Sequence, residues 1–349
     1  MNGVTNNVTN TLSLNGVIND GTPGYVVNDA SIAAGTNVIT LASVAGVTNG
    51  AVISGGGCIA TATTITAIDT TGGTNKITLS QATTNTASIS AGLAVMNVAG
   101  ATAATSLNIQ PKSSAGSSYV NVVLGSPSNS FSGGVLFTNS QSGLTSLLKI
   151  SKFGNLGENS SLGTAGNVTF GGVSGSTCTL DYTGSGEVSS KTITLGGTLG
   201  NVGLSQSGAG LLKLTGAILP GTTTGARKLA LSGSTSGSGE LSSDLGDVAG
   251  FALSIDKSGS GTWTLSGNNN YSGTTTVGGN SNGILKITGP SSLSTNTSLI
   301  GSSGNTTIST IDLASAGDYV VNSYGTSSSQ GNNLNFSASS GGATTLTFT

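Results

Sequence analysis

The acidic residues are the side chains in this sequence that could carry acid–base or metal chemistry, because the chain contains no histidine. Without an imidazole there is no Ser-His-Asp or Cys-His nucleophile, and the usual zinc ligands are missing. Four of the twelve acidic residues are grouped in the sequence, at Glu240, Asp244, Asp247 and Asp256. Paired carboxylates in a groove would suit a polysaccharide hydrolase or lyase, and a cluster could hold calcium. We favour the interpretation that these four residues lie in solvated turns and keep a low-charge protein soluble.

The remaining acidic residues are scattered singly along the chain. The glycine pairs that begin at Gly208 and Gly259 lack the third glycine and the Lys-Ser/Thr ending of phosphate-binding loops. The sequence therefore predicts no catalytic residue, no cofactor site and no metal site, and we expect a protein that is not an enzyme. The scattered acidic residues are Asp20, Asp29, Asp69, Asp181, Asp312, Asp318, Glu158 and Glu187.

Charge and cysteine content narrow the range of partners. The 10 basic and 12 acidic residues form no basic stripe that could neutralise phosphates, so we expect no nucleic-acid partner. No apolar run approaches the ~20 residues of a membrane helix, so we expect no membrane insertion by this segment. Cys58 and Cys178 fit small buried side chains better than a disulfide, although their pairing is left open.

The composition favours an ordered all-β protein over a disordered one. Disordered chains combine low hydrophobicity with high net charge, whereas this chain is 35% hydrophobic with a net charge of -2. Val, Ile, Leu and Thr recur in short runs, which suits half-buried strands. Apolar residues do not return at helical spacing, and glycine, with 57 copies, interrupts every run.

Three segments repeat one pattern. Residues 257–267 read Lys-Ser-Gly-Ser-Gly-Thr-Trp-Thr-Leu-Ser-Gly, and residues 268–277 read Asn-Asn-Asn-Tyr-Ser-Gly-Thr-Thr-Thr-Val. The first half recurs at 206–216, with glycines and leucines at matching positions, and the second half recurs at 128–137. Repeats of this kind indicate a solenoid, in which each unit stacks on the next.

Strand alternation predicts which side chains of the repeat face the core. Trp263 and Leu265 fall on one face of a short strand, and Tyr271 is expected to point inward after the Asn-rich turn. A strand of about five residues cannot bury its face alone, but stacked strands build a continuous core. A β-sandwich, the competing architecture, would show larger aromatic anchors and longer strands.

One stretch departs from the repeat. Residues 30–98 lack the Gly-x-Gly pattern and instead show four short alternating strands, at 37–41, 50–54, 63–68 and 75–80. We favour a small inserted β-rich module over irregular coils. The predicted organisation is first β-helix coils at 1–29, the module at 30–98, and a repeat-bearing β-helix at 99–349.

The run of residues 257–277 resembles the autotransporter-associated β-strand repeat, also described as a passenger-associated transport repeat. The resemblance is good over residues 205–290, weak over 119–157 and absent over 30–98. It implies a right-handed parallel β-helix on the bacterial surface, exported through or anchored to the outer membrane. It implies no particular activity, because passengers of this architecture serve several functions. Since the first residues lack a secretion signal, we expect an internal part of a longer protein.

Three functions are compatible with these observations. We favour a non-enzymatic extracellular stalk, structural or adhesive, with an unknown surface or glycan ligand. The alternatives are a carbohydrate-active β-helix that binds or cleaves polysaccharide, and a filament subunit that self-associates through unpaired edge strands. The enzyme requires two acidic residues within about 10 Å in an open groove, and the filament requires unprotected edges.

Overall fold

Short strands separated by Gly-, Ser- and Asn-rich turns form nearly all of the regular structure in a computed structural model of the chain. Two single-turn 3-10 helices, Thr71–Gly73 and Pro290–Ser292, are the helical segments among the described residues. None of the described residues belongs to a helix long and apolar enough to cross a membrane. The structure describes residues 9–14, 24–26, 31–32, 35–41, 44, 47–55, 59–60, 62–84, 87–88, 95–98, 106–111, 119–198, 201–221, 225–247, 251–279, 282–303, 308–326 and 334–349.

The strands are numbered in chain order. Their bounds are β1 Thr9–Leu14, β2 Gly24–Val26, β3 Ser31–Ile32, β4 Val38–Thr40, β5 Ile53–Gly55, β6 Ile65–Asp69, β7 Lys76–Leu79, β8 Ala87–Ser88, β9 Val95–Val98, β10 Leu107–Ile109, β11 Tyr119–Leu124, β12 Val135–Asn139, β13 Thr145–Ile150, β14 Asn167–Gly172, β15 Thr177–Tyr182, β16 Glu187–Ser189, β17 Thr192–Gly197, β18 Asn201–Gln206, β19 Gly210–Leu214, β20 Ile218–Pro220, β21 Arg227–Gly233, β22 Gly237–Leu241, β23 Leu253–Lys257, β24 Thr262–Leu265, β25 Thr275–Gly279, β26 Ile284–Ile287, β27 Ser298–Ser303, β28 Ser309–Leu313, β29 Gly317–Val321, β30 Ser323–Thr326, β31 Leu334–Ser337 and β32 Thr344–Phe348.

The described residues separate into two compact units. The larger unit lies within Met1–Ile18 and Ser106–Thr349, and the smaller within Asn19–Thr105. Compactness does not by itself establish a domain that folds alone. The division predicted from the sequence, with a module at 30–98, therefore stays a prediction.

The larger unit is a parallel β-helix, as predicted. Its longest sheet has ten strands, in the order β1-β11-β13-β15-β18-β21-β23-β25-β27-β30. A five-stranded sheet, β10-β12-β14-β17-β20, and a seven-stranded sheet, β16-β19-β22-β24-β26-β28-β31, form further walls, and β29 pairs with β32. These strands pair in parallel with the coils before and after them, so each coil inside the stack contacts two neighbours.

Coil length varies along the stack. In-register partners on the longest sheet are 20 residues apart at Ile255 and Thr275, but 32 residues apart at Thr145 and Thr177. The additional residues of long coils lie in turns, because strand length stays near five or six residues. The strands thus keep a common register while the corners accommodate the differences.

Alternate side chains of each strand point inward and stack in columns. Full burial of one such apolar side chain contributes about 1.5–3 kcal/mol, and the columns are continuous from coil to coil. On the longest sheet one column contains Val122, Leu148, Leu180, Leu204 and Leu231. On the seven-stranded sheet another contains Leu214, Leu241, Leu265, Ile287 and Leu313.

The smaller unit is built from antiparallel strands. Its sheets are β2-β9-β5, β3-β8 and β4-β7-β6. The four strands predicted from alternation in this stretch are confirmed, at β4, β5, β6 and β7. Its own core contains Ile39, Leu41, Val47, Ile53, Ile65, Ile77 and Leu79.

Candidate functional site

Two of the four grouped acidic residues form ion pairs between coils. Glu240 on β22 accepts hydrogen bonds at Oε1 from Lys213 Nζ and from Ser266 Oγ, each at 2.7 Å. Lys213 belongs to the coil before and Ser266 to the coil after. Asp256 Oδ2 lies 2.6 Å from Lys228 Nζ, also on the preceding coil. These side chains therefore join neighbouring coils.

The other two grouped acidic residues bind backbone amides. Asp247 Oδ1 accepts from the N–H groups of Leu253 and Ser272, both at 2.9 Å, and its Oδ2 accepts from Ser272 Oγ at 2.5 Å. Asp244 Oδ1 accepts from the Asn268 N–H at 2.7 Å. Both residues thus fix turns of the following coil.

The hydrogen bonds to these carboxylates favour the ionised form. Burial raises the pKa of Asp247, but the donors of Ser272 and Leu253 outweigh it, so the pKa lies below its ordinary value. Burial likewise raises the pKa of Glu240, but the hydrogen bond and charge of Lys213 and the hydrogen bond of Ser266 lower it by more, so this pKa also lies below its ordinary value. A general acid at neutral pH needs a raised pKa. Neither carboxylate has the protonation state of an acid catalyst.

The scattered acidic residues within the described ranges mostly form the same kind of bond. No group of three or more His, Cys, Asp or Glu residues in the described part of the chain could hold a metal ion. Asp20 and Asp29 lie outside the described residues. The bonds are from Phe153 and Gly154 N–H to Glu187, from Ser207 to Asp181, from Ser337 and Ser339 to Asp312, from Lys152 and Asn155 to Glu158, and from Thr71 to Asp69.

Cys178 is a buried free thiol on β15. Burial raises its pKa to about 12, so the thiolate is absent at neutral pH and the thiol is unreactive. This confirms the predicted role of Cys178 as a small buried side chain. Cys58 lies outside the described residues.

The aromatic residues of the repeat point inward, as the alternation predicted. Trp263 is fully buried, and its Nε1 donates to the Ser232 carbonyl at 2.7 Å. Its indole ring covers Gly239 of the preceding coil, where a Cβ atom would lie 2.5 Å from Trp263 Cδ2. Tyr271 is fully buried, and its hydroxyl shares a hydrogen bond with Thr275 Oγ1 at 2.7 Å.

A buried asparagine in the turn before Tyr271 joins three coils. Asn269 is 8% exposed. Its Oδ1 accepts from the Leu245 N–H of the preceding coil at 2.9 Å, and its Nδ2 donates to the Ser292 carbonyl of the following coil at 2.6 Å. The side-chain amide of Asn269 thus satisfies a backbone donor of the preceding coil and a backbone acceptor of the following coil.

The same turn occurs at residues 129–133. Asn129 is 1% exposed, and its Nδ2 donates to the Ser161 carbonyl of the next coil at 2.9 Å. Phe131 is fully buried in the place that corresponds to Tyr271. Sequence reasoning treated these asparagines only as turn formers. The signal that could have identified their role is the shared pattern Asn-x-Phe/Tyr-Ser-Gly at 129–133 and 269–273.

Comparison with known families identifies this coil. The model of the passenger-associated-transport-repeat matches residues 255–279. The chain carries a passenger-associated transport repeat. The matched segment begins in β23, passes through β24 and ends in β25, where Thr275 pairs with Ile255. The matched segment therefore covers one coil of the β-helix and the strand that begins the next coil.

The repeat and the parallel β-helix together fit a passenger domain of the autotransporter type. They confirm the resemblance that the sequence suggested for this coil. Separate comparisons with curated proteins and with solved structures return no match.

Two lysines are buried against backbone carbonyls. Lys257, within the passenger-associated transport repeat, donates from Nζ to the carbonyls of Ser258 at 2.6 Å and Gly259 at 2.9 Å. Lys191 is fully buried and donates to the Gly163 and Ala165 carbonyls. Burial lowers the pKa of each lysine to about 8.

We expect these lysines to make the protein more stable as the pH rises from 8 to about 9. An unfolded lysine has a pKa of 10.5, so the unfolded chain binds more protons than the folded chain above pH 8, and the free energy of unfolding increases. Burial raises the pKa values of Cys178, Tyr182 and Tyr271 to about 12, which reverses the trend at higher pH. Urea denaturation at each pH measures the profile.

The matched control is the double variant Lys191→Met, Lys257→Met. It should lose the rise above pH 8 and keep the fall at higher pH, because the thiol and the phenols are unchanged. A free energy of unfolding that already falls between pH 8 and 9 in the unmodified chain would contradict the assignment of lowered lysine pKa values.

Proposed function

We propose that the chain is a non-enzymatic structural and adhesive stalk of an exported bacterial protein, placed at the cell surface or secreted. The observation that carries the proposal is the position of the polar side chains within the coil stack. Asn269, Glu240 and Asp256 each bond to a neighbouring coil. Side chains of the types that could do chemistry therefore hold the coils together.

The repeat supports the proposed location. The name of the passenger-associated-transport-repeat family links this coil to passenger domains and their transport, which supports an exported protein. A chain with 22 charged residues among 349, no histidine and 57 glycines offers few groups for catalysis. It offers many small polar residues that pack in tight turns between strands.

The mechanism of a stalk is the transmission of load through the coil stack. Ten strands of the longest sheet at ~4.8 Å spacing give the larger unit a stack of roughly 43 Å. Each coil contacts only its neighbours, so stability is approximately a sum over coils and their interfaces. The ion pairs, amide bonds and buried columns all act across those interfaces.

A stalk should tolerate the loss of one whole coil. Removal of residues 255–274 brings Thr275 into the place of Ile255, its in-register partner on the longest sheet. We expect the shortened chain to fold, and its stack to be shorter by ~4.8 Å. Circular dichroism measures the fold, and small-angle X-ray scattering of the whole chain measures the change in maximum dimension.

The control removes ten residues, 260–269, which deletes β24 from between β22 and β26 and leaves Thr275 only ten positions after Ile255, about half a coil. This variant should unfold or aggregate. Equal behaviour of the two deletions would contradict the stack as the basis of function. Release of reducing ends from polysaccharide by the unmodified chain would instead favour the enzymatic alternative.

A further inference from the structure

A groove runs along the outer face of the five-stranded sheet. Two cavities of about 660 Å³ and about 490 Å³ lie on this face and share Leu136 and Thr169 in their walls. Together they cross all five strands, since β10 contributes to the first cavity and β20 to the second. We call this surface the β10–β20 groove.

The floor of the β10–β20 groove is one outward-facing column of side chains. Strand register places one residue from each strand in this column. The column contains one amide, two neighbouring hydroxyl groups and two leucines, and each step along it advances by one strand spacing of ~4.8 Å. In order, the column contains Asn108, Leu136, Thr169, Thr194 and Leu219.

Apolar side chains in the β10–β20 groove are left open to solvent. Leu156, on the turn after β13, is 70% exposed, and Leu219 is 49% exposed. Leu156 rests against Gly166, where a Cβ atom would lie only 2.9 Å from Leu156 Cδ1. The leucine is thus supported from below and projects over the first cavity.

Polar groups in the β10–β20 groove are also available. The Thr169 hydroxyl and the Asn108 amide form no hydrogen bond with any described residue, although both line the first cavity. Thr194 Oγ1 donates to Asn167 Oδ1 at 3.1 Å, which leaves the Asn167 amide hydrogens pointing away from that bond. The lining therefore combines free donors and acceptors with apolar patches.

The lining also limits the ligand by its charge. None of the described residues that line either cavity is acidic or basic. Nucleic acids and anionic polysaccharides need basic partners. A peptide that adds to the sheet as a strand needs an open edge, whereas the central floor strands β12, β14 and β17 are paired on both sides and the edges of the sheet are β10 and β20. A neutral chain of hydroxyl groups and C–H faces matches the uncharged lining along the central strands.

We propose that the β10–β20 groove binds a neutral oligosaccharide that lies along the coil stack. Sugar hydroxyls hydrogen-bond to Thr169, Asn108 and Asn167, and sugar C–H faces pack on Leu136, Leu156 and Leu219. This inference deepens the adhesive part of the proposed function and rests on it. It names the ligand class and the surface.

Saturation-transfer NMR and titration calorimetry with the whole chain test the proposal. The probes are cellohexaose, maltohexaose and chitohexaose, with hexagalacturonate as the charged comparison. We expect at least one neutral probe to bind, and we expect Leu156→Asp and Thr169→Arg each to weaken that binding at least tenfold. The matched control is Leu211→Asp, a leucine 43% exposed on the seven-stranded sheet, which should bind as the unmodified chain does.

Three results would overturn the groove as a glycan site. They are no binding of any neutral probe, unchanged binding in both groove variants, and equally tight binding of hexagalacturonate. Because Leu156 is exposed, Leu156→Asp should keep its fold, and its thermal unfolding verifies this. The deletion of residues 255–274 does not touch the groove, so a tolerated deletion with no glycan binding leaves the structural role standing and removes the adhesive one.

Discussion

Replacement of Trp263 by alanine is expected to lower the free energy of unfolding by about 3 to 5 kcal/mol. The indole is fully buried between coils, and its N–H satisfies the Ser232 carbonyl. Removal of the indole leaves a cavity that the stacked strands cannot close. The positions of these strands are fixed by their backbone hydrogen bonds to the coils above and below. Urea denaturation of the whole chain, followed by circular dichroism, measures the loss.

The matched control is Thr264→Ala on the same strand. Thr264 points outward in the alternation of β24, so its change should stay within about 0.5 kcal/mol. If Trp263→Ala cost no more than Thr264→Ala, the stacked column would not be what stabilises this coil.

The fit between Trp263 and Gly239 gives the same prediction a second test. These residues are in-register partners on β24 and β22, and a Cβ atom at Gly239 would collide with the indole ring. Gly239→Ala should therefore destabilise by about 1–3 kcal/mol. In the double variant with Trp263→Leu the clash is absent, so the two changes should be strongly non-additive.

The inward direction of Trp263 and Tyr271 and the parallel stacking of short strands could be predicted from the sequence. Both follow from local rules. Alternation within a strand decides which side chains share a face, and a repeat of short strands can bury those faces only by stacking. Neither inference needs knowledge of a residue far away in the chain.

The register between coils could not be predicted in the same way. Alignment of the repeats places Leu212 with Trp263, and these two residues do stand in one column with Gly239 between them. The same alignment places Gln206 with Lys257, but Lys257 stacks on Leu231 and Leu204 instead. The corner after Lys257 is two residues shorter, with a left-handed turn at Gly259, and the repeat pattern does not record this difference.

The outcome for the acidic residues has the same cause. Glu240, Asp244, Asp247 and Asp256 are neighbours in sequence, which suggested a cluster. Their hydrogen-bond partners lie about one coil away, as with Lys213 for Glu240 and Asn268 for Asp244. Because coil length varies, sequence spacing does not reveal those partners. The β10–β20 groove is still less visible, since each of its five strands supplies one floor residue.

Replacement of Asn269 by alanine should lower the free energy of unfolding by about 2 to 6 kcal/mol, since two buried backbone groups lose their partners at about 1–3 kcal/mol each. The groups are the Leu245 N–H and the Ser292 carbonyl, which belong to different coils. Neither group can form a replacement hydrogen bond with water while the coils stay stacked. Urea denaturation of the whole chain measures the effect.

Asn268→Ala is the matched control for this change. Asn268 is exposed and contributes only its backbone N–H to Asp244. Its replacement should therefore change the free energy of unfolding by less than about 0.5 kcal/mol. Asn129→Ala, in the corresponding turn, should destabilise in the same direction as Asn269→Ala, because its amide also donates to the next coil. Equal stability of the Asn268 and Asn269 variants would mean that the coils are held by the ladder and the apolar columns alone, and that the asparagines only shape the turn.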